Sequence, residues 1–500
     1  MKKIKYLVIV AVLATTITSC TKDYLELTPD GQALSSNYYK NEAQAFAGLV
    51  ATYDVLRKNS GGFENMITMM NAGSDDHFAG GGGATDGVGI QSFSNYSQNS
   101  NTIPRSFWND HYQGILRANV LLDRLPGVDM DNVKKLRFAA EAKTLRAIYY
   151  FNLVRMFKNV PLILEQLTPS NMYSQAQANP TAVYAQIELD LMQAKADLPT
   201  TLSSSEYGRL TKGAAQAILG KVYLYDGKNT LAAAELADVN GTPGGTSIYG
   251  YQLLSNYNDL WTVANKFNSE SILEVMHTSA GNSHWGVWGS GSDEGNTANV
   301  MCGPRGYLKI APSAPDLPSG WSFNVITQDL YNVLVGDNRF NATILDAKAL
   351  KTAGDIDYIA GYENTGYFLN KFVPRQSDVT TGAGDAVLNY QQNTYVIRLA
   401  DTYLLEAEAL GGSGTRAQAL LDAVRSRAGL SSVPVSMTAI KTERRKELAG
   451  EGHRFFDLVR WGDAASALSS RGFVAGKHEI FPIPFKELEN TILVQNPGYN

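Results

Sequence analysis

The residue types that stand out chemically in this chain are aromatic. Three of its six tryptophans fall close together, with tyrosine, asparagine and arginine beside them or in an earlier stretch. Aromatic faces pack on the apolar C–H surface of pyranose rings, and planar polar side chains bond their hydroxyls. The predicted ligand-binding residues are therefore Trp285, Trp288, Trp321, Tyr307, Arg305, Asn95 and Tyr96. The alternative is that individual rings are hydrophobic anchors that pin long loops to the scaffold.

Motifs for catalysis are missing from the sequence. It contains no HExxH, GxSxG, GxxxxGK[ST] or EF-hand pattern, and the glycine run 80–83 lacks the lysine that would hold phosphate. Glycoside hydrolysis is the strongest enzymatic alternative, because it needs only two carboxylates. Asp293 and Glu294, beside the tryptophans, are the first candidate pair, although adjacent residues rarely face one bond from opposite sides. We expect a non-enzyme.

A metal or cofactor is not expected either. Asp75, Asp76 and His77 could bind a cation, but no ligand spacing elsewhere in the sequence matches them. A structural Ca²⁺ bracing a loop is conceivable, and no stretch has the spacing of a dedicated calcium site.

Composition narrows the class of ligand. A chain of 500 residues with 44% hydrophobic content can bury a large core. The net charge of −5 and the lack of a Lys/Arg block beyond the first five residues argue against nucleic acid as a partner. The same balance favours an uncharged ligand, although Arg305 and Lys309 could serve an acidic one.

The first twenty residues are typical of a targeting segment. Lys2, Lys3 and Lys5 form a positive region, an apolar stretch follows, and residues 17–20 read Ile-Thr-Ser-Cys. This pattern predicts a lipoprotein signal peptide over 1–19 and lipidation of Cys20, which anchors the chain without a transmembrane helix. A plain secretory signal with an incidental cysteine is the alternative. Only Cys20 and Cys302 exist, so no disulfide framework is expected.

Helical periodicity dominates the rest of the chain. Apolar spacing predicts helices over 136–157, 182–197, 212–225 and 229–236, and small residues at 214–220 let the last two pack as a hairpin. A similar pair is predicted within 403–424. We therefore expect a mostly α fold of interrupted tetratricopeptide-like helical hairpins, as one domain over 20–500. Trp108 is predicted to be a core residue.

Three stretches lack helical periodicity, at 61–104, 240–320 and 353–395. We interpret them as long irregular loops, which in compact folds are usually functional. Near the C-terminus, Glu443, Glu447 and Glu451 form a like-charge row that needs cations such as Arg444 and Arg445. We assign this row to scaffold pairing rather than to ligand contact.

Several segments, in order, resemble a known family. They are AEAKTLRAIYYFNLV at 140–154, GRLTKGAA at 208–215, VRSRAGL at 424–430, ERRKEL at 443–448, EGHRFFDLVRWG at 451–462 and FPIP at 481–484. Over nearly its whole length the chain resembles the SusD/RagB family of outer-membrane nutrient-binding lipoproteins.

The resemblance implies a lipid-anchored, non-catalytic protein on the outer face of the outer membrane. Such proteins capture an oligo- or polysaccharide and deliver it to a SusC-like TonB-dependent transporter. Family ligand contacts come from variable loops, so the resemblance assigns no binding residue here. A surface glycoside hydrolase, a lid for a non-sugar nutrient such as a peptide, and an adaptor that only gates its transporter remain the alternatives.

Overall fold

Helices form most of the regular secondary structure, as predicted. The computed structural model describes residues 38–286, 288 and 293–499, so the predicted signal peptide and Cys20 lie outside it. The helices are α1 (Glu42–Tyr53), α2 (Met66–Ala72), α3 (Val88–Asn95), α4 (Ser106–Arg124), α5 (Asn132–Phe157), α6 (Pro180–Asp197), α7 (Lys212–Tyr225), α8 (Asn229–Asn240), α9 (Thr297–Cys302), α10 (Gln328–Leu334), α11 (Phe340–Thr343), α12 (Ala347–Ala353), α13 (Leu399–Ala409), α14 (Gly414–Arg427), α15 (Met437–Glu447), α16 (Arg454–Arg460), α17 (Ala464–Ala467) and α18 (Phe485–Leu488).

The strands are short and pair only in twos. They are β1 (Val160–Pro161), β2 (Gln177–Ala178), β3 (Ser271–Val275), β4 (Leu308–Lys309), β5 (Ile344–Asp346), β6 (Ile356–Asp357), β7 (Tyr367–Leu369) and β8 (Thr394–Arg398). The antiparallel pairs are β1–β2, β3–β8, β4–β6 and β5–β7. Short 3₁₀ helices occur at Asp54–Asn59, Leu125–Gly127, Ser204–Glu206, Tyr257–Trp261, Val263–Asn265, Gln376–Asp378, Ala386–Leu388 and Ser469–Arg471.

Neighbouring helices pack as hairpins through small residues. Helix α4 packs on α5, α5 on α6, α7 on α8, and α13 on both α14 and α8. A Cβ at Gly220 would lie 2.5 Å from the Leu236 side chain, so α7 and α8 approach closely because position 220 is glycine. The 403–424 hairpin is confirmed as α13–α14. Trp108 is 4% exposed, which confirms it as a core residue.

The 61–104 stretch was wrongly predicted to lack helices, since it contains α2 and α3. All seven residues of α2 are buried, so that helix has no exposed face, and it is too short for a 3.6-residue period to be detected. The 240–320 stretch likewise contains α9, whose six residues are all buried. In 353–395 the chain forms β6, β7 and single 3₁₀ turns joined by irregular loops.

A buried charge network holds the C-terminal helices together. Glu447 accepts hydrogen bonds from Arg339 at 2.8 Å and from Arg398 at 2.7 Å, and it also pairs with Arg427. Burial alone would raise the pKa of Glu447, but the guanidinium groups of Arg427, Arg398 and Arg339 outweigh it and hold this pKa far below its ordinary value. These side chains are almost fully buried, so the glutamate row serves the scaffold.

Arg444 and Arg445 do not neutralise that row. Arg444 pairs with Asp401 at 2.8 Å and with Asp457 at 3.0 Å, and Arg445 pairs with Asp76 at 2.6 Å. Residues one apart on a helix point in different directions, so these arginines reach other elements, while cations from elsewhere in the chain approach the glutamates.

The C-terminal segment returns to the helical scaffold. The backbone N–H of Phe481 donates to the Met156 carbonyl at 2.7 Å, and the Asn496 amide donates to the Phe157 carbonyl at 3.0 Å. Residues from Ala45 to Ile483 share one hydrophobic core. Within the described ranges, no helix has the length and apolar character needed to cross a membrane.

Candidate functional site

The three predicted tryptophans meet in space. The ring centroids of Trp285 and Trp321 lie 6.0 Å apart with the rings nearly parallel, and Trp288 packs edge-on against them at 5.4 Å and 5.8 Å. Trp285 is 51% exposed, and Trp288 and Trp321 are partly buried. We call Trp285, Trp288 and Trp321 the tryptophan cluster. It offers an open aromatic face backed by two further rings.

Phe63 packs against the tryptophan cluster, and Phe323 packs in turn against Phe63. Phe63 lies 6.3 Å from Trp288 and 6.4 Å from Trp321, and it packs edge-on against the buried Phe323 at 5.2 Å. A Cβ at Gly81 would fall 2.4 Å from the Phe323 ring. Within the glycine run 80–83, Gly80 and Gly81 are packed so closely that a larger residue would not fit, whereas a Cβ at Gly83 would meet nothing within 4 Å.

Trp321 is fixed by close backbone packing. Its backbone N–H donates to the Val300 carbonyl of α9 at 2.8 Å. At the preceding position a Cβ on Gly320 would lie 2.4 Å from the backbone of Gly303. The backbones at Gly303 and Gly320 therefore approach to a distance that only glycine allows. This contact fixes the position of the neighbouring Trp321.

Trp285 is held by a second loop. Its backbone N–H donates to the Asp385 carboxylate at 2.9 Å. Ser283 and Asn389 bond reciprocally: the Ser283 N–H donates to the Asn389 side chain at 2.9 Å, and the Asn389 amide donates back to the Ser283 carbonyl at 2.8 Å. Gly384 has a φ of +92°, and a Cβ there would lie 2.6 Å from the Ser283 carbonyl oxygen.

Arg305 lies beside the cluster. Its Nη2 donates to the Trp321 carbonyl at 3.2 Å and to the Asp86 carboxylate at 3.3 Å, and about a third of the side chain is exposed. Asp86 also accepts the Gly82 backbone N–H at 2.6 Å. A guanidinium edge is thus presented next to the aromatic face, with its charge compensated by Asp86.

Tyr307 is near Arg305 in sequence but packs into a different cluster. Its hydroxyl donates to the Pro315 carbonyl at 2.5 Å, and its ring lies against a core that includes Phe368 and Tyr358. Burial, followed by the charge of Asp316, raises the pKa of the Tyr307 phenol. Its hydroxyl is therefore engaged within the protein.

The prediction for Tyr96 is corrected by its burial. Tyr96 is 5% exposed, its hydroxyl donates to the Gly73 carbonyl, and its ring packs against Phe473 and His478. It has no free face for a ligand, because it caps α3 and turns inward. Asn95 is exposed, but its side-chain oxygen accepts from Ser97 at the end of the same helix.

The suspected carboxylate pair does not form an open site. Asp293 is 2% exposed, and its carboxylate lies 3.5 Å from Arg57. Glu294 is more exposed, and burial together with the charge of Asp54 raises its pKa. The backbone carbonyl of Glu294 lies 3.0 Å from Nδ1 of the buried His277. Asp293 therefore faces the protein interior rather than a ligand.

The Asp75–His77 trio is engaged by arginines. Arg454 binds both carboxylate oxygens of Asp75 at 2.8 Å, and Arg445 pairs with Asp76. Burial, followed by the charge of Arg471, lowers the pKa of His77 to about 3. Among residues 38–286, 288 and 293–499, no three His, Cys, Asp or Glu side chains converge as metal ligands.

Sequence reasoning missed Phe63, Asp385 and Asn389. Phe63 precedes Trp285 by more than two hundred positions, and Asp385 follows Trp285 by one hundred positions. The only local signal was the glycine pair that precedes Phe63, which marks a loop but gives no contact.

Known families and structures resemble this chain. The model described as "SusD family" matches residues 336–478, and the one described as "Starch-binding associating with outer membrane" matches residues 23–224. SusD-like protein P25 from Formosa agariphila is 25% identical, covering 100% of this chain and 99% of its own.

Solved structures extend the likeness to the whole fold. A laminarin binding SusD-like protein is 66% identical with a TM-score of 0.92, over 92% of this chain and all of the other. Surface glycan-binding protein A from Bacteroides thetaiotaomicron, in complex with laminarihexaose, is 25% identical with a TM-score of 0.80, over 91% of this chain and all of the other. Because the chain is 66% identical to a SusD-like protein over the whole length of that protein, it belongs to the SusD family.

Proposed function

We propose that this protein captures a laminarin-type glucan at the cell surface on the tryptophan cluster. The observation that carries the proposal is the meeting of Trp285, Trp288 and Trp321 in one cluster with a half-exposed ring. Aromatic faces of this kind suit the C–H surface of sugar rings. The 66% identical relative named as laminarin binding supports the choice of glucan.

Local charge supports an uncharged ligand. Arg305 already has Asp86 as its counter-ion at 3.3 Å, and Lys309 lies 3.8 Å from Asp316. The cations that could have selected an acidic glycan are thus compensated. Arg305 is suited instead to donate hydrogen bonds to sugar hydroxyls.

We further propose that the glucan is held without being cleaved and without a metal. The first candidate carboxylate, Asp293, is buried beside Arg57. A glycosidase needs two carboxylates about 5 to 9.5 Å apart across the scissile bond. The relatives' printed names describe binding proteins rather than enzymes.

The setting we propose is the outer face of the outer membrane. Lipidation of Cys20, after removal of residues 1–19, would anchor the chain there, in keeping with the family description of proteins that associate with the outer membrane. A SusC-like TonB-dependent transporter is the proposed acceptor of the captured glucan.

Affinity electrophoresis and calorimetry test the binding proposal. The mature chain, with Cys20 removed, is measured against laminarin and a panel of neutral and acidic polysaccharides, with and without EDTA. Trp285→Ala and Trp321→Ala are compared with Tyr173→Ala, which removes an aromatic ring that is 55% exposed outside the tryptophan cluster. Laminarin should bind the parent and the Tyr173 variant, lose affinity for both tryptophan variants, and be unaffected by EDTA.

Product analysis separates capture from hydrolysis. Incubated laminarin should keep its chain length. Release of shorter sugars would favour the glycoside hydrolase alternative. Binding of a peptide and of no glycan would favour the non-sugar alternative. Equal laminarin binding by the parent and both tryptophan variants would place the site elsewhere.

A further inference from the structure

Phe63 joins the tryptophan cluster to a neighbouring cleft. One side of its ring contacts Trp288 and Trp321, and the same residue lines a cleft of about 500 Å³. We infer that the glucan-binding groove continues over Phe63 into this cleft, so that the protein binds a longer stretch of chain than the tryptophan cluster covers. This inference rests on the proposed function.

The path has regular steps. From Trp285 to Trp321 the ring centroids are 6.0 Å apart, and from Trp321 to Phe63 they are 6.4 Å apart. Gly87 packs directly against the Phe63 ring where both residues line the cleft, because a Cβ at that position would fall 2.5 Å from the ring. A row of ring faces with such spacing can follow successive units of one sugar chain.

Three segments wall the cleft. They are residues 87–89 at the start of α3, residues 100–105 and residues 484–486. The backbone N–H of Phe485 donates to the Ser100 carbonyl at 2.8 Å, and Arg105 forms an ion pair with Glu487. The second and third of these segments are therefore tied to each other. The volume lies within the range of ~300–1,000 Å³ that small-molecule sites occupy.

The lining combines exposed apolar and polar groups. Val88 is 57% exposed and Phe485 is 46% exposed, while Asn101 is an exposed amide and Thr102 is partly exposed. Apolar faces beside hydroxyl and amide groups are the chemistry that an uncharged sugar chain requires.

Both cations in the cleft are paired with carboxylates. Arg105 has Glu487 as its partner and Lys486 bonds Glu489 at 2.9 Å. The carboxylate of Glu64 accepts a hydrogen bond from the Ser106 hydroxyl at 2.9 Å. The cleft is thus matched to a neutral chain, as is the tryptophan cluster. The two together form one groove of uniform chemistry.

The test is the dependence of affinity on chain length. Calorimetry of the parent with laminarin oligosaccharides of increasing length should show affinity rising beyond the short oligomers that the tryptophan cluster accommodates. Asn101→Trp places a large ring in the cleft. It should lower the affinity for the long oligomers about tenfold and leave that for the short ones unchanged.

Asn258→Trp is the matched control. Asn258, like Asn101, is exposed and directs its backbone N–H to an asparagine side chain two residues earlier. It should bind every oligomer like the parent. If the parent binds long and short oligomers equally, or if Asn101→Trp matches Asn258→Trp, the groove ends at the tryptophan cluster and the inference is overturned while the proposed function stands. If the parent binds no laminarin oligosaccharide of any length, both this inference and the proposed function are wrong.

Discussion

The carboxylate of Asp385 accepts the backbone N–H of Trp285 at 2.9 Å, across one hundred positions of sequence. The most exposed ring of the tryptophan cluster is therefore positioned by a residue that need not touch the glucan. The reciprocal bonds of Ser283 and Asn389 reinforce the same junction. Position, rather than ring type alone, decides whether Trp285 can stack on a sugar.

Replacing Asp385 tests this positioning. Asp385→Ala removes the acceptor, so laminarin affinity should fall about tenfold, the loss that corresponds to a hydrogen bond of ~1.4 kcal/mol. Asp385→Asn keeps an oxygen acceptor and should restore most of the affinity. Calorimetry measures binding, and tryptophan fluorescence reports the change around Trp285. Equal affinity in parent and Asp385→Ala would contradict the role.

Gly320→Ala tests the support under Trp321. The added methyl group would meet the Gly303 backbone, which must move apart and displace Trp321. We expect weaker laminarin binding and a lower melting temperature. Gly83→Ala is the control, because a Cβ there meets nothing within 4 Å. Calorimetry and thermal unfolding of the two variants check this, and identical behaviour would refute it.

Glu447→Gln tests the buried charge network. The substitution leaves Arg339, Arg398 and Arg427 without their shared carboxylate, and breaking such a buried pair typically costs about 3–5 kcal/mol. Denaturant unfolding should show this loss in the free energy of unfolding. Glu42→Gln removes the exposed partner of Lys134 and should leave stability unchanged. A Glu447→Gln protein as stable as the parent would disprove the assignment.

Buried histidines predict sensitivity to mild acid. Burial lowers the pKa of His111, His277 and His453 to about 4, below the unfolded value of about 6.5. Between these values the unfolded chain binds more protons than the folded one, so stability is complete above about pH 6.5 and falls as the pH drops toward 4. The melting temperature should therefore decrease from pH 7 to pH 5.

The variant His111→Gln isolates one of these groups. Its amide does not titrate and can still bond the Phe107 carbonyl, which lies 2.8 Å from Nδ1 in the parent. The decrease in melting temperature between pH 7 and pH 5 should be smaller than in the parent. A parent whose melting temperature is flat across this interval would rule out the histidine explanation.

Sequence periodicity located the long helices because each carries apolar residues at helical spacing over several turns. Helix α7 begins and ends where predicted, and α5 begins four residues earlier because Asp131 accepts the Lys134 N–H and caps it. The helices α2 and α9 were missed because seven and six buried residues are too few to show a helical period. Helix α13 is equally buried, but its eleven residues were enough to reveal it.

The site could be predicted only as far as residue type allowed. Tryptophans close in sequence also met in space, but Tyr96 turned into the core, and only the three-dimensional packing shows that its hydroxyl bonds Gly73. The contacts that matter most for geometry join distant loops, such as Ser283 with Asn389. No local pattern encodes such pairs, because they depend on how the scaffold folds.

The return of the C-terminal segment to α5 has a kinetic consequence. Asn496 bonds the Phe157 carbonyl across 339 positions, so the end of α5 stays uncovered until the last part of the chain has been synthesised. Long-range contacts of this kind slow folding and leave apolar surface exposed meanwhile. The end of α5 is therefore open to aggregation until Asn496 and its neighbours have been synthesised.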